Sequence, residues 1–227
     1  MLWIIANVKP YQCALLAISA CLIQPAVAAP SSTVKIQGTV TTGACTPSLS
    51  NGGIIDLGER ALEALGDGVN VVSVQRMTLT VTCSSPTRIA YTLTDNRHGS
   101  LPDALPEGIA NTAPLFGLGK SAQGINIGSW FVRIPSATAP SVDGVAGDSI
   151  TSTNGTTWYP QDNTALYNTN EGKPEYASFA DKETLTPATA TTFSTHLEIS
   201  AALSSELRTI SERATVDGSA SINIVYL

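Results

Sequence analysis

Met77-Thr78-Leu79-Thr80-Val81-Thr82-Cys83 places an apolar residue at every second position and a threonine between each pair. Successive side chains of an extended chain point to opposite faces, so this stretch has one apolar and one polar face, the pattern of a half-buried strand. The period continues downstream, where Ile89, Tyr91 and Leu93 share a face before the turn-forming run Asp95-Asn96-Arg97-His98-Gly99-Ser100. It returns in Phe193, Leu197, Ile199 and Ala201 against His196, Glu198 and Ser200, and again in Ala220, Ile222, Ile224 and Tyr226 at the end of the chain. Ile125 to Ile134 reads as a longer apolar strand carrying Trp130, and Val34, Ile36 and Val40 alternate with Lys35 and Gln37. Helical periodicity is local, at Glu59 to Leu65 and Leu203 to Arg213. The chain is expected to be all-β.

The 227 residues suffice for one core, and a hydrophobic content of 43% argues against disorder. Only 13% of residues are charged and the net charge is −6, which leaves no basic surface for a phosphate backbone and excludes nucleic acid as an expected partner. The two histidines, His98 and His196, lie far apart without a metal-ligand spacing, so no metal or cofactor is expected. Gly117-Leu118-Gly119-Lys120-Ser121 is like the end of a phosphate-binding loop, but the first glycine of that motif would fall at Pro114 and a strand-rich segment follows where a helix should start. No Gly-x-Ser-x-Gly elbow precedes a helix. No catalytic residue and no small-molecule substrate is identified, and the protein is not expected to be an enzyme.

Residues 1–28 read as a signal peptide: Lys9 precedes an apolar run from Cys13 to Ile23, and Ala26-Val27-Ala28 supplies small residues at the cleavage site. Lipid attachment at Cys21 is the rival reading, through Ile18-Ser19-Ala20-Cys21. An uncleaved membrane anchor is opposed by Lys9, Pro10 and Gln12, which interrupt the apolar stretch. Cleavage after Ala28 leaves Cys45 and Cys83 as the mature cysteines, and in an oxidising compartment they are expected to form one disulfide, with two free buried thiols as the alternative. Residues 135–192 contain Pro135, Pro140, Pro160, Pro174 and Pro187 among many Thr, Asn and Gly residues, and read as an elaborated loop region in which Trp158, Tyr159, Tyr167, Tyr176 and Phe179 pack as lids.

The ends of the mature chain carry the functional signal. A strand, Ser32 to Val40, precedes the first mature cysteine, and the last strand runs to Leu227 with no following partner, which leaves one sheet edge open. Three separated features resemble the subunits of bacterial chaperone-usher fimbriae: Ser32-Thr33-Val34-Lys35-Ile36-Gln37-Gly38-Thr39-Val40 ahead of Cys45; Ile55-Asp56-Leu57-Gly58; and the ending Ile222-Asn223-Ile224-Val225-Tyr226-Leu227 with its penultimate tyrosine. Gly124-Ile125-Asn126-Ile127-Gly128 is similar to that family's central strand, and the Asp95-Asn96-Arg97 turn is closest to a less studied group of fimbrial-type proteins described only as a domain of unknown function.

The resemblance implies an immunoglobulin-like β-sandwich over residues 42–227 that lacks its seventh strand. It also implies an N-terminal extension, residues 29–41, whose Ser32, Val34, Ile36, Gly38 and Val40 form a donor strand for a neighbouring subunit. A periplasmic chaperone binding the C-terminal strand Ala220, Ile222, Ile224, Tyr226 and Leu227, an outer-membrane usher and neighbouring fimbrial subunits are the implied partners. The expected function is that of a structural subunit of a surface fimbrium, exported to the periplasm and then displayed at the cell surface. A tip adhesin, or a secreted or lipid-anchored periplasmic binding protein or enzyme, is the alternative.

Overall fold

The computed structural model describes residues 44–172 and 174–227. Residues 1–28, expected as a signal peptide, Cys21, and the segment carrying Ser32, Val34, Ile36, Gly38 and Val40 lie outside the described residues. Ten strands follow in order: β1 (Cys45–Leu49), β2 (Val69–Asp95), β3 (Phe116–Gly117), β4 (Gly128–Arg133), β5 (Ser141–Val142), β6 (Val145–Ser152), β7 (Tyr159–Pro160), β8 (Tyr176–Asp181), β9 (Thr189–Ser204) and β10 (Ala220–Tyr226). The described residues form no α-helix. The two segments with helical periodicity give only single 3-10 turns, at Leu62–Ala64 and Ser205–Thr209, because so short a run does not recover the cost of helix nucleation.

β2 organises the molecule. Its first half pairs antiparallel with β9 from Val69 opposite Ser204 to Thr82 opposite Thr192. The register shifts between Thr82 and Thr87, where Pro86 has no N–H to give to a ladder, and pairing with β9 resumes only for Thr87 and Arg88. Its second half pairs with β10, from Ala220 opposite Asp95 to Tyr226 opposite Ile89, and with β8 at Ala90 opposite Ser178. One sheet is thus β1, the first half of β2, β9, β4 and β3, with β5 also on β9. The other is β10, the second half of β2, β8, β6 and β7.

The alternating residues from both halves of β2 meet in one core. Leu79 and Val81 join Ile89, Tyr91 and Leu93, with Phe179 from β8 and Phe193 and Leu197 from β9. The Phe179 ring lies 5.9 Å from Tyr91 and 5.1 Å from Phe193, between centroids. Each such side chain contributes about 1.5–3 kcal/mol on burial, before ordering costs. Cys45 and Cys83 stand opposite each other across β1 and β2 and form the expected disulfide.

One expectation is qualified and one corrected. The segment 135–192 is largely loop, as expected, but β5, β6, β7, β8 and the start of β9 all lie within it. Its strands escaped a reading based on large apolar residues because their buried positions are often small: Ala177, Ser178, Ala180 and Ala190. Trp158 and Phe179 are buried there, whereas Tyr159 is exposed. The strand foreseen from Ile125 begins only at Gly128, because Ile125 and Ile127 are taken into a turn closed by the bonds from Ile125 N–H to Ser121 Oγ and from Ile127 N–H to Gly119 O. A side chain at Gly128 would run into the Ala202 carbonyl, so β4 can approach β9 here only with glycine.

Candidate functional site

Among the described residues, β1 and β10 each pair with β2 alone, so each leaves its other edge open. β1 is followed, after the 3-10 turn Ser50–Gly53, by residues 54–61, and β10 is preceded by residues 211–219, and neither segment belongs to a strand. Between these segments lies a groove of ≈ 280 Å³. Gly53, Ile55 and Leu57 line one side of it, and Val216, Gly218, Ala220 and Ile222 the other. Its floor is the core itself, reached at Met77, Leu93, Trp130, Val132, Leu197 and Ile199.

The groove is apolar, and none of its lining residues is ionisable. Ile55, Trp130, Ala220, Ile222 and Ile224 pack on the main core but remain only half-buried, so the core reaches solvent along this line. Trp130 is held by stacking on Phe116 at 4.7 Å and by donating its indole N–H to Gly117 O at 3.2 Å. Beyond the groove a second cavity of ≈ 410 Å³ shares Ile55, Leu57 and Val216 with it and continues over Leu65, Ile127, Leu203 and Leu207. The two sides are bridged at that end by an ion pair between Arg213 and Glu59 at 3.4 Å, fully at the surface.

β10 shows how the predicted C-terminal residues are used. Ala220, Ile222 and Ile224 face the main core, while Val225 packs on the opposite side against the cluster of Ala90, Ile150, Trp158 and Ala180. The expected single apolar face is corrected at Tyr226, which shares the period but is 53% exposed and accepts the Cys45 N–H on its hydroxyl at 2.9 Å. Leu227 extends the ladder by donating its N–H to Arg88 O at 3.1 Å and is itself 45% exposed.

The chemical candidates weighed in the sequence do not converge. His98 and His196 are both exposed and on different elements, His196 Nδ1 lying 3.3 Å from Thr78 Oγ1. Within Gly117–Ser121 the amides are already committed: Gly117 N–H to Asp95 Oδ2, Leu118 N–H to Gly128 O, Gly119 N–H to Ser100 Oγ, and Ser121 N–H to Ile125 O. Among the described residues no group of three His, Cys, Asp or Glu side chains could hold a metal ion. Burial shifts two groups that lie outside the groove. Burial pushes the Tyr91 phenol well above its ordinary range and raises the Glu175 carboxyl, the latter opposed by bonds from Tyr167 N–H and the Thr151 side chain.

The sequence reading did not bring Trp130, Leu93 and Val132 to the groove floor, or Gly218 to its wall. The alternation of Ile55 and Leu57 was its one visible trace upstream, since period two in an isolated short run already marks an extended segment with one apolar face.

These features define a class: an all-β protein with a disulfide-tied strand pair and an open groove, lined by no ionisable residue, beside the free edge of its last strand. Over residues 34–131 the chain matches the family described as "Protein of unknown function (DUF1120)". It is 31% identical over 236 residues to "Uncharacterized protein YhcF" of Escherichia coli (strain K12), across 94% of this chain and 98% of that one. It is also 35% identical over 118 residues to "Protein GltF" of the same organism, across 44% of this chain and 46% of that one. The chain belongs to the DUF1120 family.

Proposed function

We propose that this protein is a structural subunit of a surface fimbrium, exported to the periplasm and assembled without covalent chemistry by donor-strand exchange, with a periplasmic chaperone and an outer-membrane usher as its partners. On this reading the two sheets are an immunoglobulin-like sandwich lacking its seventh strand. The observation that carries it is the groove: the open edge of β10 and the segment that follows β1 border an uncharged channel floored by the main core. An open edge needs hydrogen-bond partners for its backbone and a half-covered core needs apolar side chains, and an inserted strand supplies both at once.

The occupant we assign is the segment Ser32 to Val40 of a second copy. Nine extended residues span about 30 Å, a little more than the roughly 23 Å of the seven residues of β10, so such a segment would pass along β10 and reach the second cavity. Val34, Ile36, Gly38 and Val40 would face the floor at period two, and Lys35 and Gln37 would face water. Downstream, Ala44 is held against Ser84 by bonds from Ala44 N–H to Ser84 Oγ and from Ser84 N–H to Ala44 O, which continues β1 beyond Cys45 at the end where β10 also finishes. Before assembly the chaperone would cover the same groove and take the half-exposed C-terminus at Leu227.

Exported protein should form polymers that resist detergent and dissociate on heating, as expected where every subunit is held by an inserted strand. A mature protein that stays monomeric when produced together with its chaperone and usher would overturn the proposal.

A further inference from the structure

The turn Asp95-Asn96-Arg97 joins two parts of the molecule that share no strand. Toward the groove, Arg97 donates through Nε and Nη2 to the two carboxylate oxygens of Asp217 at 2.9 and 2.8 Å. Asn96 donates its backbone N–H to Ser219 O at 3.0 Å and its side-chain amide to the hydroxyls of Ser219 and Ser221 at 3.0 and 3.1 Å. Away from the groove, Asp95 N–H donates to Asn170 Oδ1 at 2.8 Å and Asn170 Nδ2 returns a bond to Asp95 O at 3.2 Å. The hydroxyls of Thr94 and Thr169 meet at 2.8 Å beside them. The centre is fixed by the Asp95 carboxylate, whose residue is 3% exposed and which accepts the N–H groups of Arg97 at 2.8 Å and Gly117 at 2.9 Å.

The groove depends on what this turn holds. Residues 211–219 belong to no strand, and their backbone is tied to the rest through the Asp217 N–H to Leu118 O bond and the Asn96 N–H to Ser219 O bond. Gly218 lies so close to the floor that a Cβ there would stand 2.8 Å from Leu118 Cδ2 and 3.1 Å from Trp130 Nε1. A wall this near its floor narrows or opens the groove with a small displacement, so whatever sets its position sets the width available to an inserted strand.

We infer that Asp95-Asn96-Arg97 is a positioning brace that sets the width of the groove and couples it to Thr169 and Asn170 in the long segment between β4 and β9. The inference rests on the reading of the groove as a strand acceptor. Asn170 does not line the groove, yet its bonds to Asp95 place it one step from the residues that hold Asp217 and Ser219. Since coupling between two sites is reciprocal, a change at Asn170 must alter retention of the inserted strand if the brace transmits it.

The test uses the full mature chain carrying Gly38→Leu, so that its own segment does not polymerise, and a fluorescent peptide of residues 29–41 with the natural sequence. Binding to this parent is the first readout. Arg97→Ala should raise the peptide dissociation rate about tenfold by removing a bidentate charge-assisted pair. Arg97→Lys should restore only part of the loss, because an ammonium cannot reproduce the fork. The exchange Arg97→Asp with Asp217→Arg should return the rate to within about threefold of the parent. Asn170→Ala should raise it about threefold, and less when added to Arg97→Ala than alone. A parent that does not bind the peptide overturns the strand-acceptor reading and the brace with it. A parent that binds, with Arg97→Ala and Asn170→Ala dissociating at its rate, overturns the brace alone. Should Arg97→Ala fail to fold by circular dichroism, the charge exchange and Asn170→Ala decide the outcome, and an unrestored rate in the former with no effect in the latter overturns the brace.

Discussion

The hydroxyl of Tyr226 accepts the backbone N–H of Cys45 at 2.9 Å, tying the penultimate residue of the chain to the first residue of β1 and so to the disulfide. One side chain thus links the end of β10 to the start of β1. Tyr226→Phe keeps the ring and removes the bond, and at so exposed a position the cost should lie near the low end of about 0.5–1.5 kcal/mol. Urea denaturation should show a small fall in midpoint with an unchanged slope, and no change at all would show that water replaces the contact fully.

The disulfide closes a loop of about 39 residues, which on the chain-entropy model removes roughly 3.9 kcal/mol of unfolded-state freedom. Replacing Cys45 and Cys83 together by serine should lower stability by about 2–4 kcal/mol, read from chemical denaturation. Intact mass of the exported protein should show no free thiol, and two alkylatable cysteines would contradict the pairing.

Glu175 predicts a pH-dependent gain. Burial raises its pKa in the folded protein, so it contributes stability in the protonated form below its ordinary range near 4.5, and that contribution is lost as pH rises through the raised value. Glu175→Gln keeps an oxygen to accept the Tyr167 N–H, which Glu175 Oε2 now receives at 2.8 Å, and removes the buried charge. The variant should melt higher than the natural protein at pH 7, and the difference should vanish at pH 4 and below. A difference that is constant with pH would show that the gain does not come from ionisation.

Gly38→Leu should block polymers while leaving the chaperone-bound subunit folded, because a side chain at that position would collide with the groove of the next copy. Lys35→Gln, on the opposite face of the segment, should polymerise normally. Detergent-resistant polymers are measured beside circular dichroism. Polymerisation by Gly38→Leu would rule out the donor role, and loss of the fold itself would place this strand in the protein's own sheet.

Removing the last four residues deletes Ile224 from the core edge and Leu227 from the terminus together. Co-purification with the chaperone should be lost. Recovery of the complex at the natural yield would count against β10 as the chaperone's site.

The all-β class, the stretches Met77–Cys83 and Ile89–Leu93 of β2, β9 from Phe193 to Leu203 and the inward residues of β10 were legible in the sequence because each buries large side chains at period two, and that period is a local property of an extended backbone. The pairing of Cys45 with Cys83 was legible by count on the reading of residues 1–28 as a signal peptide. β6 and β8 were not, because alanine and serine fill a narrow space between elements without marking their burial in composition. Nor was the groove, whose walls at Ile55 and Ile222 and whose floor at Trp130 come together only when distant strands fold side by side. The contact of Arg97 with Asp217, separated by 120 residues, depends on where the chain returns, as does the bond from the Cys45 N–H to the Tyr226 hydroxyl, 181 residues away. Local alternation decides which residues face inward, and tertiary packing alone decides which edges are left without a neighbour.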